Sequence, residues 1–429
     1  MTNGRRVFVL SREYPPSTIG GTGTVARNLC VGLVSAGWEV TLITTAPRSG
    51  TDRREQIEGV RVHRSAMDGS YNTASGVSDQ TVRAHRRLYR AAEDLAAELG
   101  RPDAVVLPDL FCFPEAVMFA RRHAIPLLNI LLQDFRAITP YDRDAHRVTS
   151  GVTADREHLL QLERKAVQDS DHVVFISQAL SDAVTAHYTD GLAPHSLVHL
   201  GVDPAEIAEV QADPRWRSRR DGLCGDGPDR PLLVACGRLV PVKGFTQLIE
   251  ALHLMGPVAP PRGGSVALPH LALVGVGPEE GTLRHLAARL DLTDRVTFLG
   301  DVPRREALGW MSVADVAVVP SLWESFCYVC AEMMAFGRPV VATAVDSLRE
   351  LLPDARFGYP VPVGGELGKR TLAPQDLADA LREAFADPEE AARRGAAARA
   401  RILDRFTNDR FAHGVAALLR ELTAVTGRA

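Results

Sequence analysis

Two cations five residues apart, Arg238 and Lys243, and two glutamates eight apart, Glu324 and Glu332, each follow a short apolar run. A guanidinium with paired hydrogen bonds and an ammonium as a point charge can together neutralise a diphosphate as it leaves a carbon centre, without a metal ion. A carboxylate accepts two hydroxyl hydrogen bonds, which suits Glu332 to a ribose and leaves Glu324 to face a transferred group. Ser325 reads as a helix N-cap, so Ser325, Phe326, Cys327 and Tyr328 would turn free backbone N–H groups and a positive helix end toward a phosphate. One such glutamate is commonly a cap or a surface ion pair; two at this spacing are less commonly so.

The elements that must position these residues follow an α/β rhythm. Strand-like runs at 5–10, 39–44, 104–107, 127–132 and 172–177 alternate with helical patterns, and the second half repeats the pattern at 231–236, 271–275, 296–299, 316–320 and 340–343. The second set is nearly all apolar, as strands of a parallel sheet buried on both faces should be. Phe245, Leu248, Ile249, Leu252 and Met255 fall at helical spacing after Lys243-Gly244, so that helix presents its first turn at the carboxyl edge of a strand, where open α/β sheets bind ligands. The stretch 212–230, rich in Pro, Gly and charge, reads as a domain boundary or an insertion, and its basic cluster Arg215–Arg220 as a solvated helix end. Phe411, Val415, Leu418, Leu419 and Leu422 form the stripe of a closing helix that packs back on the body.

At 429 residues, with 45% apolar and 24% charged residues, the chain is long enough for two globular domains. A net charge of -4 gives no general attraction to a phosphate polymer, so nucleic acid is not an expected partner. No apolar run reaches the roughly 18 to 20 residues that span a bilayer, and a cytoplasmic protein without stable membrane insertion is expected. Six scattered cysteines make no disulfide framework, and Cys327-x-x-Cys330 has no second pair to complete a zinc site. Gly275-Val276-Gly277 runs into Pro278-Glu279-Glu280, without the third glycine of a dinucleotide fingerprint. Asp142-Arg143-Asp144 reads as a solvated loop. Arg83, Arg86, Arg87 and Arg90 share one side of a helix that continues with Glu93, Asp94 and Glu98, an ordinary charged surface. Gly20, Gly21 and Thr22 join the first strand to a helix, where glycine lets backbone approach a ligand closely.

Taken together, the Gly20-Gly21 loop, Leu200-Gly201-Val202-Asp203, Gly237-Arg238-Leu239 with Lys243-Gly244, Val274–Pro278, Arg295–Gly300, Ala314-Asp315-Val316 and the Glu324-x7-Glu332 block resemble a family 4 glycosyltransferase of the GT-B type, the retaining group that includes glycogen and sucrose synthases. The resemblance covers nearly the whole chain. It implies two Rossmann-like domains with parallel sheets facing a central cleft: an acceptor domain at 1–205, on which a helix at 407–429 packs back, and a nucleotide-sugar domain at 206–406. By that likeness Gly237, Arg238 and Lys243 grip the diphosphate of a UDP, GDP or ADP sugar, Glu332 the ribose, and Glu324 with the adjoining backbone the sugar. The loop 300–302, Val302 included, lines the base, and no metal or other cofactor is required. Gly20, Gly21 and Thr22, with Asp109, Asp134 and Arg136, are the candidate substrate contacts, and a homodimer is allowed. Three departures stand near the expected sugar pocket. Asp109 follows the strand at 104–107 where the family often has histidine, Cys327 replaces a usual glycine, and Asp346-Ser347 replaces Gly-Gly. They point to an unusual donor sugar or a specialised hydroxyl or thiol acceptor, as in secondary metabolism. A glucan synthase, a lipid-acceptor transferase and a nucleotide-sugar epimerase are the alternatives.

Overall fold

Short apolar runs bounded by turn residues become strands with both faces covered by helices. The computed structural model describes residues 5–16, 21–46, 51–66, 80–138, 156–224, 230–259 and 266–426. These fall into two units, one holding residues up to Leu200 together with the stretch from Asn408, the other holding Gly201–Thr407.

The strands of the first unit are β1 (Arg6–Leu10), β2 (Glu39–Ala46), β3 (Arg53–Ile57), β4 (Val60–Ala66), β5 (Ala104–Leu107), β6 (Leu127–Leu131), β7 (His172–Phe175) and β8 (His195–Leu197), in the order β3-β4-β2-β1-β5-β6-β7-β8. All neighbours are parallel except β3 with β4. That hairpin was not expected from the sequence, because Arg-Arg-Glu-Gln-Ile is an edge strand exposed along nearly all its length, as edges that must resist pairing are. Its turn places Glu58 and Gly59 at φ 49° and 82°, the left-handed pair of a tight hairpin. The closing helix Asn408–Thr426 lies on the helix Gly21–Ser35. A Cβ on Gly32 would sit 2.2 Å from the Ala412 Cβ, and the Asn28 amide donates to Asn408 Oδ1 at 3.1 Å.

The second unit holds β9 (Leu232–Cys236), β10 (His270–Val274), β11 (Val296–Gly300), β12 (Val316–Val319), β13 (Val340–Thr343) and β14 (Tyr359–Val361), all parallel, in the order β11-β10-β9-β12-β13-β14. Leu233, Leu273, Val318 and Val341 meet Leu248, Leu252, Leu381 and Phe385 from the covering helices in one apolar core. Within the stretch read as a boundary or an insertion, Arg215–Cys224 is a helix, and Trp216, Arg220 and Cys224 are buried at four-residue spacing. Arg220 is also not a solvated helix end. Its side chain is 1% exposed and pairs with Asp315 at 2.5 Å, and the same carboxylate oxygen accepts from Leu232 N at the start of β9.

One close approach joins the two loops that matter most. Gly244, at φ 69°, ends the 3-10 turn Pro241–Lys243, and a Cβ there would lie 2.0 Å from the Pro320 carbonyl oxygen beyond β12. Leu322 N donates to Val242 O at 2.7 Å beside it. Gly244→Ala is therefore expected to push the two loops apart and to cost more than about 2 kcal/mol, read by chemical denaturation; wild-type stability would mean the contact yields without penalty.

Candidate active site

The chain lays down β9, β10 and β11 in one direction and β12, β13 and β14 in the other, so strand order reverses between β9 and β12. Loops leaving adjacent strands at such a reversal diverge and open a crevice outside the carboxyl ends. Arg238 and Lys243 stand on the loop after β9, and Glu324 and Glu332 after β12. The four residues thus come from the two segments that leave the strands at this point, Glu332 from the helix that follows the second loop.

Lys243 ends its 3-10 turn with its side chain folded back past Gly237, where its Cδ lies 3.9 Å from the position a Cβ would take. Its Nζ is 2.6 Å from Glu324 Oε1, and the same oxygen accepts from Ser321 Oγ at 2.7 Å. Glu324 is buried, Lys243 and Arg238 half-buried. The loop that presents Glu324 is itself tied down, since Thr343 Oγ1 donates to Ser321 O at 2.5 Å and Ser347 Oγ to Glu324 O at 3.1 Å.

The helix carrying Glu332 runs Tyr328–Ala335, and its N-cap is Cys327 in the left-handed region (φ 73°, ψ 76°), with no side-chain cap. This corrects the expectation of a Ser325 cap: the first turn begins at Tyr328, and Ser325 lies two residues before the cap. Phe326 is buried with its ring edge-on to Tyr328 at 5.3 Å.

Glu332 is 2% exposed, and burial raises its carboxyl above the usual range while Arg304 draws it back. Arg304 Nη2 lies 2.8 Å from Glu332 Oε1 and 2.9 Å from Glu206 Oε2. The Cys236 thiol, at the end of β9, is pushed up to about 12 by burial and next by the charge of Glu332, so Glu332 faces the β9 side of the reversal. Arg304 was not foreseen. It opens the helix Arg304–Ser312 two residues beyond Val302, and nothing in its neighbourhood marks it as more than a surface charge. Val302 is half-buried after Gly300, whose φ of 74° turns the chain out of β11.

In the first unit the order reverses between β1 and β5. Gly20 lies outside the described residues; Gly21 and Thr22 open the helix Gly21–Ser35, with free space around Gly21. Asp109, after β5, accepts from Arg12 N at 2.9 Å, Arg12 Nε at 3.0 Å and Phe111 N at 3.1 Å, and the Arg12 guanidinium stacks 4.0 Å over Phe111. Asp109 therefore links the two loops of this reversal. Asp134 and Arg136 lie elsewhere, beyond β6. Both Asp134 oxygens receive Arg136, at 3.2 and 3.0 Å, and Arg136 also donates to Ala183 O. Beside them Glu163, fully buried, accepts from Phe135 N and Tyr188 Oη, each at 2.8 Å. Burial and then the Asp134 charge raise its carboxyl from 4.5 to about 7. Asp142 and Asp144 lie outside the described residues, as does the side chain of Arg83. Among the described residues no cluster of His, Cys, Asp and Glu could hold a metal ion, and no helix is long and apolar enough to cross a membrane.

Two protein families match the chain in succession: "Glycosyl transferase 4-like domain" over residues 20–198 and "Glycosyl transferases group 1" over 225–401. The glycogen synthase of Mycobacterium tuberculosis is 29% identical over 418 residues, covering 94% of this chain and 91% of that one. Among solved structures, sucrose-phosphate synthase from Thermosynechococcus elongatus superposes with a TM-score of 0.78 at 21% identity, over 98% of this chain and all of that one. Anabaena HepE in complex with UDP-glucose gives 0.68 at 19%, over 97% and 99%. Both structures share the GT-B fold, two parallel-sheet α/β domains.

Two pH-dependent outcomes follow. For a carboxyl whose folded pKa is raised, the folded state holds more protons than the unfolded one, so stability falls as pH rises through that window and returns as pH drops toward 4.5. Arg304→Ala deepens this for Glu332. Its deficit against wild type should be about 2 kcal/mol at pH 8 and shrink toward pH 5; a deficit independent of pH would place the role of Arg304 elsewhere. For Glu163 the window is 4.5 to about 7. Glu163→Gln should remove a stability slope of at most ~1.4 kcal/mol per pH unit across it, read by urea unfolding from pH 4.5 to 8.

Proposed function

The chain belongs to the family 4 glycosyltransferases of GT-B fold, and from that premise we propose that it moves a sugar, with retention at the anomeric carbon, from a nucleoside diphosphate to a small polar acceptor. The observation that carries this is the Lys243–Glu324 pair, 2.6 Å apart at the reversal between β9 and β12. When the donor binds, Lys243 and Arg238 take the diphosphate, Glu324 meets the sugar, and Glu332, held by Arg304, accepts the ribose hydroxyls. As the bond from the anomeric carbon to the phosphate oxygen breaks, both bonding electrons stay on that oxygen. The acceptor's hydroxyl or thiol bonds to the same face of the carbon and gives its proton to the departing oxygen. The cations stabilise the charge as it develops, so no protein base and no metal are required. A UDP donor is supported by the likeness to the HepE complex with UDP-glucose; ADP and GDP are the other candidates. Gly21, Thr22 and Asp109 are the acceptor-side residues of this reading.

The changes at Asp109, Cys327 and Asp346-Ser347 favour a specialised acceptor or donor, of the kind used in secondary metabolism. A second reading, extension of a glucan chain, is favoured by the likeness to glycogen synthase over nearly the full length of both chains. Turnover of plain UDP- or ADP-glucose onto glycogen or maltooligosaccharides, monitored by release of the nucleoside diphosphate, decides between them.

The donor assignment is tested by calorimetry with UDP, GDP and ADP. Wild type should bind one of them, Arg238→Ala and Lys243→Ala at least 30-fold more weakly, with both variants still unfolding cooperatively without ligand. Lys243→Arg should not restore affinity, because the forked guanidinium cannot fill the place of the ammonium between Glu324 and Gly237. Full binding by either alanine variant would remove the diphosphate from this loop.

A further inference from the structure

Beyond β13 the chain turns through Ala344, Val345 and Asp346 into Ser347, and Asp346 stands at φ 37°. This is the left-handed region, which aspartate enters more readily than most residues, though less so than glycine. What holds it there is Arg370. Its Nη1 lies 2.5 Å from Asp346 Oδ2 and its Nη2 2.8 Å from Asp346 Oδ1, a paired fork with both side chains about one-sixth exposed. The same Nη1 donates to Leu322 O at 2.9 Å. Arg370 is placed in turn by the pairing of Gly364 with Thr371, whose N–H groups each donate to the other's carbonyl at 3.0 and 2.9 Å.

Together with the bonds of Thr343 and Ser347 already described, three carbonyls of the loop that presents Glu324, those of Ser321, Leu322 and Glu324, are held by groups from β13, its following turn and the 364–371 hairpin. Only the middle tether is ionic, and only it depends on two side chains far apart in the chain. A paired guanidinium–carboxylate fixes direction as well as distance, and a small misplacement of a group that meets the reacting sugar costs rate before it costs nucleotide affinity.

We propose that Asp346 and Arg370 act as a positioning pair that sets Glu324 against the donor sugar and so tunes which sugar is transferred. The role given to Glu324 rests on the function proposed above; the tether itself does not. Hydrogen exchange of the ligand-free protein tests the tether alone. Arg370→Ala and Asp346→Gly should each raise exchange at the amides of 321–326 at least tenfold, and the double variant should exchange no faster than either single. Unchanged exchange overturns the pair whatever the donor proves to be. Donor turnover tests the consequence: kcat should fall at least tenfold in each variant, Arg370→Lys should recover only part of it, and the affinity for the free nucleoside diphosphate should stay within twofold. Equal losses of kcat and nucleotide affinity would mean general disruption, and wild-type kcat with all sugars tested would separate the tether from specificity. Failure of the wild type to bind any nucleoside diphosphate sinks the donor reading instead, while the exchange result still decides the tether.

Discussion

A carboxylate taken out of water must be met by a cation or by several hydrogen-bond donors, and both units place such carboxylates beside their carboxyl strand edges. Glu324 is met by Lys243 and Ser321, Glu332 by Arg304, Asp346 by Arg370 and Asp109 by Arg12. In each case the cation comes from a different loop or helix, so every ion pair also fixes the separation of two segments at the edge. Asp315, which joins Arg220 to the start of β9, obeys the same rule at the opposite edge and serves only the fold. What distinguishes the carboxyl edge is that its pairs sit where a reversal of strand order leaves room for a ligand.

The choice of cation carries information of its own. The chain has 46 arginines and three lysines, and nearly every structural ion pair described above uses a guanidinium, whose fork holds a carboxylate in a defined plane. The lysine at 243 breaks that habit. A single ammonium contact is directionally loose, and its charge is more readily shared with a newcomer than that of a forked pair. Glu324 keeps a second donor in Ser321 Oγ, so a phosphate that draws Lys243 away does not leave the carboxylate bare. On the function proposed above, the arrangement holds its charge until a donor arrives and then releases it.

Strands buried on both faces were legible because their residues are nearly all apolar, and β9, β10, β12 and β13 lie within a residue or so of where the pattern puts them. The hairpin of β3 and β4 was not, since its outer strand is charged along an exposed edge and carries no apolar run. In the site, the spacing of Glu324 and Glu332 and the turn around Lys243 are local and could be read directly. Arg304, Arg370 and Arg12 could not be read, because each acquires its meaning from a carboxylate 24 to 97 residues away, and an arginine in a loop looks the same whether it is solvated or locked. The position of the helix cap was missed for a related reason. Serine is a strong capping residue by propensity, but the backbone enters its left-handed bend at Cys327.

That bend and the one at Asp346 belong together. Among the described residues five non-glycine positions have positive φ, and two of them, Cys327 and Asp346, follow the strands β12 and β13 on either side of the loop from Ser321 to Phe326. The resemblance puts glycine at both places, where a left-handed bend costs nothing. Here the bends are kept and side chains are added, at a strain of about 1 kcal/mol each. Asp346 is compensated by Arg370; Cys327 is buried, and the surrounding apolar packing lifts its thiol well above the usual range, which keeps it neutral. On the function proposed above, a kept backbone shape with added volume at one side of Glu324 and added charge at the other suits a pocket for an unusual sugar.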